Sequence, residues 1–555
     1  MIDFGTANPP DNPTDSERHE LILNNLRDLN RTDDYYNIIK YLGPMKEITK
    51  IAPPGKFKGK KIGIIGAGAA GLSAAFELRK LGFDITILES SNRIGGRIYT
   101  YYFDKDKKLY GELGPMRIPV SHGTSWHYLN ILNLNTTYFP QDDPNAFIYI
   151  NNVRVRSDPE GENVRREIYP LFNLSNWEKR LPWTSLLQYT PESTLLSMPS
   201  DIRKEILQIR KHYHPMVSYW DHFNARQAFQ HFGISNCALN MLSGLSPILA
   251  AFWYYGYIEM LFEFLSLSFV DLYRIEGGFS NITKAFFESL TSSNPKEYEN
   301  IPSSSLGKVD FRLNTRVSGI YQSSNRNKVI LKYKVKKNKE YEEESFDYVI
   351  CTMPFSILRT TDVFPPFSNR KQQAIRELEY VDSQKTALLC NRRFWQEGGP
   401  AQRIVGGDSN TDLAIADIWY PPYTPNSNEP GVLIASYNLT TDAVRVGGLP
   451  IDIRIEVIKR QVEQVHGLTP GYLDSIVEGY ASMDWISEPN YLGAFGYFRP
   501  EQKRLLSYYT IAPEYNNRLL FAGDHTSISH GWLNGSFQTA MKAANDIAIH
   551  CNMCC

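Results

Sequence analysis

The sequence predicts an α/β fold, α+β when the whole chain is counted, and three observations carry that reading. Short apolar runs of strand length recur at 61–65 (KIGII), 84–89 (DITILE), 346–351 (FDYVIC) and 518–523 (RLLFAG). The first run is followed by a helical-period pattern, Leu72, Ala75, Phe76, Leu78 and Leu81, and then by the second run. That makes a β-α-β unit of about 30 residues. The chain is also long, 555 residues with 42% hydrophobic and 21% charged, which supplies three or four domains' worth of core at roughly 100–200 residues each. Whole-chain disorder is excluded, because low hydrophobicity and high net charge are both missing.

In chain order, residues 1–56 form a helical extension in which Leu21, Ile22, Leu26 and Leu29 sit at helical spacing and Pro53-Pro54-Gly55 ends the segment. From 165 to 270 the pattern is mostly helical. The uncharged stretch from Cys237 to Ile258 is interrupted by Asn240, Ser243, Ser246 and Pro247, so a buried helix pair is expected there rather than a membrane span. Residues 310–350 alternate with period two. Val329, Leu331, Tyr333 and Val335 face one way and Lys328, Lys332, Lys334 and Lys336 the other, the solvated face of a hairpin. Residues 400–450 carry short strands in a Pro-, Asn- and Tyr-rich setting, and a last helix pattern runs from about Gly535 to Ile549.

Charge narrows the function classes. Fifty-nine basic residues against 60 acidic give a net −1, leaving no overall field to attract nucleic acid or an anionic membrane. Six cysteines at 237, 351, 390, 551, 554 and 555 have neither zinc-finger spacing nor the density of a disulfide framework, and no metal site is expected. The polar N-terminus lacks the basic start and apolar run of a secretory signal, so the expected compartment is the cytoplasm, with a secreted form left open.

Chemistry is concentrated in three motifs. Gly66-Ala67-Gly68-Ala69-Ala70-Gly71 follows a strand and opens a helix, the context in which such a loop binds a dinucleotide. Gly66 permits the turn, Gly68 lets amides approach a pyrophosphate, Gly71 packs helix on strand, and Glu89 ends the second strand where ribose hydroxyls would lie. Next comes Arg93-Ile94-Gly95-Gly96-Arg97, which returns two cations and a close-passing backbone to the same phosphates. A permanently held FAD benefits from that second clamp, whereas a nicotinamide does not need it. The third is Phe521-Ala522-Gly523-Asp524-His525-Thr526, a strand ending in Gly-Asp before a loop and helix, with Asp524 placed to accept from ribityl hydroxyls.

With these motifs the chain resembles the flavin amine-oxidase superfamily, and within it the L-amino-acid oxidase family, from about residue 30 to 549. The resemblance implies a Rossmann-like FAD-binding domain built from 57–100, 271–355 and 508–550. It also implies a mixed-sheet substrate-binding domain from 101–150 and 356–507, and a helical domain, 151–270, lining an entry funnel. Gly114-Pro115-Met116-Arg117 matches the family's carboxylate-binding motif, and a guanidinium suits a carboxylate by its bidentate fork. Tyr437 falls, after a one-residue gap, where the family places a second hydroxyl on that carboxylate; a core tyrosine on a strand is the other reading. Gly531 and Trp532 match the carbonyl that holds the substrate amine and the indole that walls the site. Lys385 matches a lysine that holds a water against flavin N5, and without the resemblance it is one lysine among many. Val317 matches an adenine contact.

The activity implied is oxidation of an L-amino acid by hydride transfer from its α-carbon to flavin N5, then hydrolysis to a 2-oxo acid and ammonia, with molecular oxygen reduced to hydrogen peroxide. A homodimer is the expected assembly. The related tryptophan 2-monooxygenase type, which decarboxylates its substrate to an amide, is the alternative; a polyamine or monoamine oxidase has less support because Arg117 would lack a purpose. The aromatic stretch 252–257 (FWYYGY), with Trp419 and Tyr420, is expected to wall the pocket and favour large or apolar side chains. Glu259 and Glu263 stand one helical turn apart in the same region, and a salt-bridged or surface role is expected for them. Were either to face the pocket, a basic substrate would follow.

Overall fold

The structure is a computed structural model that describes residues 9–158, 160–338 and 340–554. The first eight residues and Cys555, with the side chain of Cys554, lie outside that description. The elements that build the site are β1 (Lys61–Ile65), α1 (Ala69–Lys80), β2 (Asp84–Leu88), α2 (Tyr257–Leu265), β3 (Val309–Arg312), β4 (Tyr348–Cys351), β5 (Ser383–Cys390), β6 (Asp408–Thr411), β7 (Asp417–Trp419), β8 (Gly431–Leu439), β9 (Leu519–Phe521) and α3 (Leu533–Cys554).

One sheet has the order β3-β2-β1-β4-β9, with every neighbour parallel. Its central strands are buried on both faces, which is why they read as continuous apolar runs in the sequence. The chain leaves β1 toward β2 on one side and finds β4 on the other. Ligands in such sheets bind beyond the carboxyl ends of the strands, at that point of divergence.

The second sheet has seven strands in the order 477–484, β5, β8, β7, β6, 147–150, 153–156. It is mixed: β6 runs parallel to Phe147–Ile150 and the other pairs are antiparallel. The division expected at residue 150 falls inside the hairpin of Phe147–Ile150 with Val153–Arg156, so 153–156 belongs to this sheet rather than to the helical segment. The helices of 183–265 pack as one apolar body with α1 and α3. Within it the uncharged stretch folds as Asn236–Leu245 and Pro247–Ala250, broken at Ser246, followed by α2. Among the described residues no helix is long and apolar enough to cross a membrane. Cys237, Cys351 and Cys390 are free thiols.

Candidate active site

A cavity with about 1350 Å³ of empty space, its solvent-open mouth included, runs from the carboxyl ends of the parallel strands to the second sheet. Its walls include Gly66, Gly68, Ala69 and Ala70 after β1, Glu89 after β2, Val317, Met353 after β4, and Gly523 and Asp524 after β9.

The turn after β1 can be made only with glycine. Gly66 has φ +106°, and a Cβ on Gly71 would stand 2.0 Å from the Gly66 carbonyl oxygen, so helix and strand meet there backbone to backbone. No side chain caps α1. Its first amides therefore lack intrahelical partners and adjoin the cavity, the arrangement that receives a phosphate. Glu89 is held by the Ala67 and Ser91 amides at 2.8 Å each, which fixes its carboxylate at the cavity edge with lone pairs to spare. Arg97 donates to Asp524 Oδ1 at 2.6 Å and to the Ala494 carbonyl at 2.6 Å. Burial pushes the Asp524 carboxyl up, but the Arg97 guanidinium and His525 outweigh it and hold the group well below the usual carboxylate range. These features fit a dinucleotide: uncapped amides and a cation for phosphates, two anchored carboxylates for hydroxyls.

Some expectations are corrected. Gly71 does not line the cavity; it packs behind the loop. Met116 turns its side chain into an apolar cluster with Leu113, Phe139 and Trp419, and neither it nor Arg117 is part of the cavity wall. Gly114 and Pro115 are part of it. Arg93 does not reach toward phosphates: it donates to the carbonyls of Gly96 (2.7 Å) and Ile98 (3.2 Å) and lies over the Tyr99 ring, stapling its own loop. The aromatic stretch does not wall the cavity either. Phe252 and Tyr255 pack on Tyr497, Tyr257 is core, and Tyr254 points to solvent.

The other end of the cavity is lined by Lys385, Tyr437, Phe495, Gly531 and Trp532. Lys385 on β5 and Tyr437 on β8 are register partners, so both project from the same face. Lys385 Nζ lies 4.2 Å from the centre of the Tyr437 ring and donates to the Gly114 carbonyl at 2.7 Å. Burial, helped by the Arg117 guanidinium, depresses the Lys385 ammonium to about 7, against the opposing pull of Glu112. Glu112 is itself raised to about 7 by burial.

Arg117 is half-buried beside this end. Its Nη1 donates to Gln141 Oε1 at 3.0 Å, and its guanidinium lies over the rings of Trp419 (4.7 Å) and Phe269 (5.3 Å). It forms no ion pair among the described residues. Tyr437, Asp408, Asp417 and Glu263 are the groups whose charge acts on it. Trp532 donates its indole N–H to both oxygens of Glu263, 3.1 Å each, and Glu259 binds buried His530 at 2.9 Å. Glu259 thus takes the paired role expected of it. Glu263 takes neither a salt-bridged nor a surface role; it turns toward Trp532 and Arg117, and burial pushes it up to about 8. Sequence reading passed over Gln141, Asp408 and Asp417, since no motif marks them.

The chain matches the family described as flavin containing amine oxidoreductase over residues 69–548. The L-amino acid oxidase bordonein-L of Crotalus durissus terrificus is 29% identical over 88% of this chain and 87% of its own length. A putative L-amino-acid oxidase, YobN, of Bacillus subtilis (strain 168) is 29% identical over 88% of this chain and 94% of its own. A solved putrescine oxidase bound to putrescine superposes with a TM-score of 0.66 at 17% identity, covering 88% of this chain and 98% of that one. FAD, the expected cofactor, agrees with the flavin in the family's description. The glycine loop, the anchored carboxylates and a match along most of the chain lead to one conclusion: this protein belongs to the flavin containing amine oxidoreductase family.

Proposed function

We propose that the protein is an FAD-dependent L-amino-acid oxidase, converting an L-amino acid and oxygen to a 2-oxo acid, ammonia and hydrogen peroxide. One observation carries this reading: Arg117, half-buried and without an ion pair among the described residues, stands beside Tyr437 and Lys385, which line the end of the cavity away from the glycine loop. A guanidinium so placed accepts the α-carboxylate in a bidentate pair, with the Tyr437 hydroxyl as a second donor. Bound FAD supplies the hydride acceptor and, through its reaction with oxygen, the route to peroxide.

The chain's own groups orient the substrate and manage protons. A carboxylate fixed on Arg117 sets the α-carbon in one place and removes rotational freedom before reaction. The Gly531 carbonyl is available to the amine. Trp532, tied to Glu263, walls the site and restricts water. Lys385, poised near neutrality, can exchange a proton with water that hydrolyses the imino acid.

The test is anaerobic mixing of the FAD-loaded protein with the twenty L-amino acids, followed by air. Bleaching with a subset, then stoichiometric peroxide and 2-oxo acid, is expected. An amide with carbon dioxide would reassign the protein to the monooxygenase type. No bleaching by any L-amino acid would overturn the role given to Arg117.

A further inference from the structure

We infer that the site is built for L-amino acids whose side chains end in a cation, held by the carboxylates of Asp417, Asp408 and Glu263 around Arg117. The inference rests on the oxidase reading above and deepens it. The strands β6 and β7 form an antiparallel ribbon in which Asp408 lies opposite Trp419 and Asn410 opposite Asp417. Residues opposite and two apart share a face, so Asp408, Trp419 and Asp417 project together. Trp419 is the ring over which the Arg117 guanidinium lies, at 4.7 Å, and the two aspartates therefore flank that guanidinium from below. Glu263 approaches from α2 with its carboxylate on the Trp532 indole, and Asp142, next to Gln141, adds a fourth acid that feels Arg117.

This group holds more carboxyl groups than cations. One guanidinium faces four carboxyl groups and is ion-paired with none. Asp417 is fully buried, and both of its side-chain oxygens lack a hydrogen-bond partner, a state that costs free energy unless something fills it. Burial holds Glu263 and Asp408 up to about 8 and Asp417 well above the usual carboxylate range, so these groups stay largely protonated at neutral pH until a cation arrives to favour their ionised form. A lysine or arginine side chain supplies that cation, and the planar pair of Asp417 oxygens suits a guanidinium or an ammonium. A metal ion does not fit: among the described residues no three Asp, Glu, His or Cys side chains gather closely enough to hold one. Arg117, Asp408 and Glu263 keep part of their surface accessible and Asp142 is exposed, which leaves a charged approach to the buried aspartate and favours cation entry.

The test compares side chains that differ only in charge, on the FAD-loaded enzyme. L-Lysine against L-norleucine and L-arginine against L-citrulline are expected to differ in kcat/KM by about 10-fold or more, the effect of one charge-assisted hydrogen bond. 6-Aminohexanoate, which is lysine without its α-amine, should perturb the flavin spectrum at concentrations where hexanoate does not. Asp417→Asn and Glu263→Gln should each shrink the lysine-to-norleucine ratio, with flavin content and Tm checking that the variants fold. Norleucine oxidised as well as lysine would overturn the inference and leave the oxidase reading intact. Oxidation of cadaverine with no L-amino acid accepted would overturn the oxidase reading itself, and the α-carboxylate half of this inference with it.

Discussion

Replacing Lys385 with methionine is expected to stabilise the protein at neutral pH, and to do so less as the pH rises. The side chain is 2% exposed and its ammonium falls from the ordinary 10.5 to about 7, chiefly through burial and then through Arg117. The unfolded chain therefore binds this proton more tightly than the folded one, and wild-type stability rises with pH between the two values. At about 1.4 kcal/mol per pH unit, the buried lysine costs about 4 kcal/mol at pH 7 and about 2 kcal/mol at pH 9. Methionine forfeits the hydrogen bond to Gly114, worth about 1 kcal/mol. The variant's net gain is then about 3 kcal/mol at pH 7 and about 1 kcal/mol at pH 9. For 555 residues, at about 2 cal/mol/K of unfolding entropy per residue, these are Tm increases of about 3 °C and 1 °C. Near pH 7, where both groups are partly charged, Glu112 loses a neighbouring cation in the variant, which trims the gain there. The assay is unfolding of both FAD-loaded proteins at pH 7, 8 and 9, followed by tryptophan fluorescence, with activity measured in parallel. Activity should fall while stability rises, as at other strained functional positions. A variant less stable than wild type at pH 7, or a difference that does not change with pH, would refute the claim that the ammonium is held against its preference.

Arg117→Met should lower kcat/KM for L-amino acids by about 100-fold, the loss of a bidentate carboxylate pair, and peroxide release measures it; unchanged kinetics would remove Arg117 from the site. Asp524→Ala leaves the Arg97 guanidinium unpaired, and a buried pair broken this way costs about 3–5 kcal/mol. Lower Tm and flavin lost on ultrafiltration are expected. Because Asp524 is held below its ordinary value of 3.8, that contribution is present at neutral pH and is lost only in strong acid. Gly71→Val should yield protein without bound flavin, read from the ratio of visible to ultraviolet absorbance, since even a Cβ would stand 2.0 Å from the Gly66 carbonyl. The preference for arginine over citrulline should rise with pH through about 8, where Glu263 ionises; the shared α-amine titration cancels in the ratio, and a flat ratio would count against Glu263 as a cation ligand.

What could be read without coordinates follows from where the chemistry is local. The β1-α1-β2 unit, the Gly66 turn, Glu89 and the Gly523-Asp524 step are each set by a few adjacent residues under steric demands that only glycine or a short polar side chain meets, so the cofactor end of the cavity was legible. The substrate end was not. Asp408 and Asp417 lie in a Pro- and Asn-rich stretch without a periodic signal, and they become a pair only through the β6–β7 ribbon. Glu263 sits on an apolar helix where burial statistics favour a paired or surface carboxylate; its partner Trp532 is far away in sequence. Arg93 shows the converse. Its motif suggested a phosphate contact, yet three nearby carbonyls captured the guanidinium first.

The two ends of the cavity draw chiefly on different sheets. The parallel sheet presents strand ends, and its contribution is made of amides and anchored carboxylates that no side-chain register can shift. The mixed sheet presents side chains, and there register decides everything. Lys385 opposite Tyr437, and Trp419 opposite Ile434, place the ammonium, the phenol and the ring beneath Arg117. A slip of one residue in β5 would turn Lys385 to the far face. The irregularity between Thr386 and Ala387 lies one pair beyond Lys385 and Tyr437, where a bulge pins register and re-aims nearby side chains. Lys385 then reaches the Gly114 carbonyl, in the segment that leads to Arg117. A single hydrogen bond thus ties the strand that carries the proton-exchanging group to the loop that carries the carboxylate anchor, so a change that moved one would be felt by the other.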